Sequence, residues 1–270
     1  RKIPKNFFKD FLTDFYTNGV LLEDNFNSYL LLLKKELDNL RIKVTDAQAV
    51  LLLKHLLLVQ EKNKDVNLTH ILSVKEGIYK HIIDSLLLLP LISPLSLSIN
   101  NFLDIGTGAG YPGIPLSVVT GWQATLIDSV GKKINALKNI VSDLNLQHVT
   151  LRHVRVEELA KEIPHSFDLV VARAVAELAV LIEYAAPLLS KDGVLVVTKG
   201  RPSFQEISSA DSILDLCGMK TVSRETVLLP HGYGERNIFI YKKIGHEKVE
   251  LPRKNGIAKM HPLYMKNYLH

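Results

Sequence analysis

Cysteine is almost absent from the 270 residues, with Cys217 standing alone. A single thiol excludes an intrachain disulfide framework and a cysteine-cluster metal site, so no metal is expected and a reducing, cytoplasmic setting fits best. Long uninterrupted apolar runs are missing too. The most apolar stretch, residues 82–99, is broken by Asp84, Pro90 and Pro94, which a bilayer span of about 20 residues tolerates badly. The run at 30–33 is short, the one at 51–59 carries Lys54 and His55, and no short apolar stretch with a cleavage-like end opens the chain. No membrane partner is expected.

Net charge is also missing from most of the chain. Of 33 Lys and Arg against 28 Asp and Glu, the whole surplus of +5 lies beyond residue 241. There, seven basic residues (Lys242, Lys243, Lys248, Arg253, Lys254, Lys259, Lys266) face only Glu247 and Glu250. A neutral body with a basic tail suggests a polyanionic partner met through that tail, with a merely solubilising terminus as the alternative.

Apolar material is plentiful, at 47% of residues. Phe7, Phe8, Phe11, Leu12, Phe15 and Tyr16 recur at helical spacing, as do Phe26, Tyr29, Leu30, Leu33 and Leu37. Thr45 with Gln48, and Ser73 with Glu76, have the form of capping boxes for helices through 51–59 and 78–89. Residues 90–98, rich in Pro and Ser, mark a change of regime. Beyond them short apolar runs at 102–105, 124–128, 149–152, 167–172 and 194–198 alternate with helical stretches, the rhythm of a parallel sheet covered on both faces. Two more runs, 221–229 and 237–242, are joined by a Gly-rich turn and predict a closing antiparallel hairpin. The expected fold is therefore α/β and Rossmann-like, a mostly parallel seven-stranded sheet. Its divisions are a helical region at 1–98, the core at 99–241 and the basic tail at 242–270.

The first strand runs into Asp104-Ile105-Gly106-Thr107-Gly108-Ala109-Gly110-Tyr111-Pro112-Gly113. A glycine-rich turn lets backbone approach a nucleotide-type ligand, but alone it does not say which. The second strand ends at Asp128, 22 residues after Gly106, where a carboxylate can accept hydrogen bonds from both ribose hydroxyls. Asp104, just before the loop, would repel a pyrophosphate and suit an ammonium, directly or through water. That favours S-adenosylmethionine, which carries an ammonium and a sulfonium, over NAD, with a plain turn cap as the simpler role for the acid.

The acceptor is harder to read. A carbon acceptor on a pyrimidine calls for a cysteine nucleophile, but Cys217 lies in an apolar helical stretch and reads as core. An exocyclic amine calls for a polar-Pro-Pro-aromatic motif after the fourth strand, where this chain has Ala172-Arg173-Ala174-Val175. Guanine N7 needs no base, because its lone pair is already free.

Residues 104–116 together with Ile127-Asp128-Ser129-Val130-Gly131-Lys132-Lys133, Ala172-Arg173-Ala174, Lys199-Gly200 and Gly234-Glu235-Arg236 resemble the RsmG or GidB family, the bacterial guanine-N7 methyltransferases of 16S ribosomal RNA. Asn67-Leu68-Thr69, His81 to Ser85, Pro252-Arg253-Lys254-Asn255-Gly256 and His261-Pro262-Leu263 extend the likeness across roughly residues 45–265. Lys62-Asn63 departs from the Trp-Asn often found there. The resemblance implies the class I S-adenosylmethionine-dependent fold and a donor site of Gly106, Gly108, Tyr111, Asp128, Val156, Glu157 and Arg173, with Asp104 beside it. Tyr111 would cover the cofactor. Arg173 would serve catalysis by meeting the donor carboxylate or an RNA phosphate, with a structural salt bridge as its alternative. Asn67, His81 and Asp84 would line the guanine entrance, unless His81 and Asp84 are a local pair. Lys199, Arg253 and Lys254 would reach phosphate. The implied partner is 16S ribosomal RNA or the small ribosomal subunit, and a monomer is compatible with the sequence. Methylation of another acceptor, an NAD-dependent oxidoreductase and an inactive RNA-binding module are the competing functions.

Overall fold

The computed structural model describes residues 20–95 and 98–263. The helical pattern at 7–16 and Lys266 lie outside these residues. Three helices come first: α1 (Val20–Asn39), α2 (Asp46–Lys62) and α3 (Val74–Leu95). The capping box of α2 forms in full. Thr45 Oγ1 accepts from the Gln48 amide at 3.2 Å, and Gln48 Oε1 accepts from the Thr45 amide at 2.8 Å. At Ser73 only half forms. Its hydroxyl accepts from the Glu76 amide at 3.4 Å, while the Glu76 carboxylate takes Lys80 at 2.6 Å instead, a charge-assisted partner that outcompetes a neutral amide.

By length and composition α3 could cross a membrane, but Ile78, Ile82, Ile83 and Leu86 on it are wholly buried in the protein core. A π turn over Ile78–Ile83 interrupts it, and such a wide turn shifts the face that following residues present. Pro90 does not end the helical region as its sequence context suggested. It sits at the start of a fresh turn, Leu89–Ile92, where a missing N–H leaves no hydrogen bond unmade.

The sheet has strands β1 (Asn101–Ile105), β2 (Gln123–Asp128), β3 (Val149–His153), β4 (Phe167–Arg173), β5 (Leu189–Lys199), β6 (Met219–Leu228) and β7 (Glu235–Lys243) in the order β3-β2-β1-β4-β5-β7-β6. All pairings are parallel except those of β7, which is antiparallel to β5 and β6. Helices α4 (Gly113–Thr120), α5 (Gly131–Asp143), α6 (Val156–Glu162), α7 (Leu178–Ala185) and α8 (Phe204–Ile213) connect the strands.

The strands read as unbroken apolar runs because both faces are buried. Phe102, Leu169, Val171, Val196 and Ile240 pack with the N-terminal helices, whereas Leu103, Val170, Ala172, Val197 and Tyr241 pack on the other side. Gln48 fastens the helical layer to the core by donating to the carbonyls of Val118 and Val119, both at 3.0 Å. The strand order reverses between β1 and β4, so a crevice opens at their carboxyl ends.

Two expectations change. Cys217 lies in the turn after α8 rather than in a helix, and burial pushes its thiol up to about 12, so it is an inert core group. The basic tail is not a free appendage. Lys242 and Lys243 belong to β7, and the chain then folds back so that Ala258 and Leu263, 1% and 2% exposed, enter the second core.

Candidate active site

The glycine loop after β1 is held from beneath by Asp104. This residue is fully buried, and its Oδ2 accepts from the Thr107 hydroxyl at 2.7 Å and from the Gly113 amide at 2.9 Å. Burial pushes its carboxyl up to about 6, against the opposing pull of those two hydrogen bonds. Asp104 thus ties the loop from below and is not part of the cavity wall where an ammonium would be met. The last glycine of the motif answers to this acid rather than to a ligand, since a Cβ on Gly113 would lie 2.7 Å from Asp104 Oδ2. Gly106 is constrained on the upper side, with φ +68° and a Cβ that would meet Val175 at 2.7 Å.

Above the loop lies a cavity of about 330 Å³, walled by Gly106, Ile127, Asp128, Val156, Glu157 and Arg173 among others. Asp128 already accepts from the Gly108 amide at 3.1 Å and the Val130 amide at 2.8 Å. A carboxylate offers about four lone-pair sites, so two are left for vicinal hydroxyls. Ile105, Ile127, Val154, Val156 and Val175 supply apolar walls for a flat base. The size and chemistry of this set fit a nucleoside with a short charged arm.

Glu157 lines the cavity and is only 4% exposed. It accepts from the Gly256 amide at 2.7 Å and from the Tyr184 hydroxyl, and burial followed by this carboxylate raises the Tyr184 phenol above its usual range.

Tyr111 does not cover the cavity. Its ring is 3% exposed and lies between the imidazoles of His55 and His81, at centroid distances of 4.5 and 4.4 Å, with the Arg173 guanidinium 5.5 Å from its centroid. The flat apolar ring finds its partners between the loop and the helical layer, which withdraws it from the ligand.

Arg173, at the end of β4, both lines the cavity and reaches the helical layer. It donates to the Lys80 carbonyl and to Asp84 Oδ2, each at 3.1 Å, and to His81 Nδ1 at 3.3 Å. Arg236 donates to the other Asp84 oxygen at 2.9 Å. Because Arg173 donates into Nδ1, the His81 proton sits on Nε2 and is donated to Thr69 Oγ1 at 2.8 Å. Burial and then the Arg173 charge lower His81 to about 3, so it is neutral at physiological pH. His81 and Asp84 are therefore not a local pair with each other. They are two ligands of one guanidinium. Asn67 is exposed on the adjoining loop, which Asn63 clamps by accepting from the Leu68 and Thr69 amides and donating to the Thr69 carbonyl.

The expected phosphate contacts fare differently. Lys199 is committed to Glu206 at 2.8 Å and to the Ala176 carbonyl at 2.9 Å. Arg253 forks onto Glu183, an acid 2% exposed, at 2.6 and 2.5 Å. Both cations are thus paired within the protein, Arg253 with a buried acid and Lys199 with a half-buried one. Lys243 pairs with Glu247, and Lys242 and Lys248 pair at the surface with the exposed Asp192 and Asp215. Lys254 stays exposed.

Arg236, Asn63 and Glu183 take part in the site or its supports but were given no role from sequence. Arg236 closes the Gly234-Glu235-Arg236 motif, and a cation at the start of an apolar strand needs a buried partner. Asn63 keeps the asparagine of the Trp-Asn pair and caps the end of α2, whereas nothing local distinguishes Glu183 from an ordinary helix residue. No group of three or more His, Cys, Asp or Glu side chains that could hold a metal ion occurs among the described residues.

A parallel sheet closed by an antiparallel hairpin, with a glycine loop after β1 and an acid ending β2, defines a class I S-adenosylmethionine-dependent methyltransferase. Over residues 48–238 the chain matches the family described as rRNA small subunit methyltransferase G, also called GidB, and it belongs to that family. It is 34% identical over 235 residues to ribosomal RNA small subunit methyltransferase G of Clostridium botulinum, covering 86% of this chain and 98% of that one. The same-named protein of Desulforamulus reducens is 33% identical over 240 residues, covering 88% and 99%. Among solved structures, an O-methyltransferase from Bacillus cereus in complex with SAH shares the fold, with a TM-score of 0.55 and 16% identity over 81% of this chain and 99% of that one.

Proposed function

We propose that the protein transfers the methyl group of S-adenosylmethionine to N7 of a guanine in 16S ribosomal RNA by direct displacement, in the cytoplasm. One observation carries this reading: the basic groups that touch Arg173 are committed, and the one bare imidazole lone pair nearby is out of an acceptor's reach. Asp84 is bracketed by two guanidiniums, His81 Nδ1 accepts from Arg173, and His55, whose Nε2 donates to the Ala109 carbonyl, keeps a bare Nδ1 that is fully buried. A site without an accessible base beside Arg173 suits an acceptor that loses no proton, and guanine N7 is one.

When bound, S-adenosylmethionine supplies an electrophilic methyl on a sulfonium. Asp128 would hold the ribose hydroxyls, and Val156 with the backbone of Glu157 would border the adenine. Gly106 and Gly108 would let the backbone approach the methionine arm. Asp104 would fix that loop from below, through Thr107 and Gly113. Arg173 would present its unshared N–H groups to the donor carboxylate or to an RNA phosphate. Two guanidiniums around one carboxylate leave a positive excess for a polyanion at the entrance. Asn67, His81 and Asp84 would frame that entrance, and Lys254 would add an outlying phosphate contact.

The test is incubation of unmodified small subunits, and separately naked 16S RNA, with labelled donor, followed by nucleoside analysis. N7-methylguanosine is expected. Label on any other atom, or none despite donor binding, would sink the proposal.

A further inference from the structure

Residues 249–263 cross the outer wall of the cavity, and apart from Lys254 the chemistry above makes no use of them. They are fastened by two buried acids of the core. The Gly256 amide donates to Glu157 at 2.7 Å, and Arg253 forks onto Glu183 while also reaching the His261 carbonyl at 2.9 Å. Asn255 adds a hydrogen bond to Glu158 at 2.7 Å. Gly256 adopts φ +80°, a left-handed turn that glycine takes without strain and that aims its N–H at Glu157. Charge-assisted bonds to carboxylates in a water-poor setting are strong, so this segment is held and not merely draped. Val249, Leu251, Ala258 and Leu263 pack into the core beneath it. Gly256 and Lys259 then line the same cavity as Asp128 and Arg173.

We propose that residues 249–263 form a wall of the donor site, and that Glu157 is a positioning residue whose carboxylate acts on the donor through this strap. The inference rests on the donor reading given above. It changes the meaning of the basic tail: Arg253 fastens the strap to the buried Glu183, so the strap acts on donor affinity, with Lys254 left for an outlying phosphate contact.

The test uses the full chain and S-adenosylhomocysteine as the probe. Calorimetry should show at least tenfold weaker binding by Glu157→Ala. Glu157→Gln, whose carbonyl still accepts the Gly256 N–H, should return to within threefold of the parent. The double variant Asn255→Ala with Lys259→Ala changes only exposed side chains and should weaken binding at least threefold. In turnover, the donor KM should rise while kcat and the RNA KM hold, and the salt dependence of RNA binding should not move. Bound S-adenosylhomocysteine should also slow amide exchange across residues 254–260 of the unaltered protein, a readout that survives if Glu157→Ala fails to fold. Binding by the parent with unchanged affinity in the variants overturns the strap alone, as does exchange that ignores the probe or an RNA salt slope that flattens while donor affinity holds. Failure of the parent to bind the probe overturns the donor reading and the strap with it.

Discussion

Asp84 on α3 and Arg173 at the end of β4, 89 positions apart, are joined at 3.1 Å, and the acid is 3% exposed. Arg236 occupies the other oxygen of the same carboxylate. The three charges are not equivalent. Arg173→Ala leaves Asp84 with a partner, so the fold should persist at a cost of about 1–3 kcal/mol. Asp84→Asn leaves two guanidiniums facing each other around a neutral amide, and should cost about 3–5 kcal/mol. Single-turnover methylation should nevertheless fall on the order of 100-fold in Arg173→Ala, as for loss of an electrostatic contact in an active site. Urea unfolding and rapid quench check both halves. Unchanged turnover removes Arg173 from the site, and a milder loss in Asp84→Asn than in Arg173→Ala contradicts the bracketed carboxylate.

Two buried histidines set the acid sensitivity. His55 and His81 are each lowered to about 3, chiefly by burial, from an ordinary value near 6.5. Between those limits the unfolded chain binds protons that the folded chain refuses, so stability falls as pH drops below about 6.5. Each such group contributes a slope of about 1.4 kcal/mol per pH unit. Asp104 works in the opposite sense. Its carboxyl is raised to about 6, so the folded chain takes up that proton first and gains stability as pH falls through 6. The net slope between about pH 6 and 4 should therefore be near that of one histidine rather than two. Urea midpoints at pH 7.5, 6.0 and 5.0 test this, and His55→Phe should flatten the profile. A stability maximum at pH 5 would contradict it.

The glycine loop makes a sharper steric prediction. A methyl on Gly113 would meet both Asp104 Oδ2 and Leu126 Cδ2 at 2.7 Å, whereas one on Gly200 meets nothing within 4 Å. Gly113→Ala should cost about 1–3 kcal/mol and Gly200→Ala close to nothing. Asp104→Asn keeps an oxygen for Thr107 and the Gly113 amide and removes a buried charge, so donor affinity should hold within threefold. A large drop in S-adenosylhomocysteine binding by Asp104→Asn would place that charge in contact with the donor after all. Calorimetry and thermal unfolding separate these outcomes.

The sheet was legible in sequence because its strands are short, doubly buried and separated by helices, a pattern that only a parallel arrangement explains. The capping box at Thr45 was equally plain, since both of its partners are local. What escaped was everything decided by contacts across the chain. The basic tail reads as a charge surplus, but its partners Glu183, Asp192 and Asp215 belong to a body whose own charges sum to zero. Tyr111 follows Gly110 in a cofactor loop, and only the placement of His55 and His81 decides that its ring faces the helices. Ser73 and Glu76 have the spacing of a capping box, yet Lys80 one turn on takes the acid. Glu157 and Arg173 both line the cavity, but the partner of Glu157 is 99 residues away.

Asn63 offers the cleanest separation of the two halves of the site. Its side chain accepts from the Leu68 and Thr69 amides at 2.7 and 2.9 Å and donates to the Thr69 carbonyl at 2.9 Å. Thr69 Oγ1 then fixes His81, and His81 accepts from Arg173, so the loop beside the entrance is oriented by one amide. Asn63→Ala removes three hydrogen bonds and should cost about 1–3 kcal/mol, as expected when partly buried backbone groups lose their partners. Methyl transfer to small subunits should fall about tenfold, because the entrance loses its fixed geometry while the chemistry is untouched. S-adenosylhomocysteine affinity should stay within twofold, since neither Asn63 nor the loop it holds lines the donor cavity. Asn63→Asp keeps the oxygen that accepts from both amides and sets an anion against the Thr69 carbonyl, so its rate should lie between the parent and Asn63→Ala. A parallel loss of donor affinity in either variant would mean that the helical layer controls the donor pocket as well as the entrance, and that the His81–Tyr111 stack transmits the change.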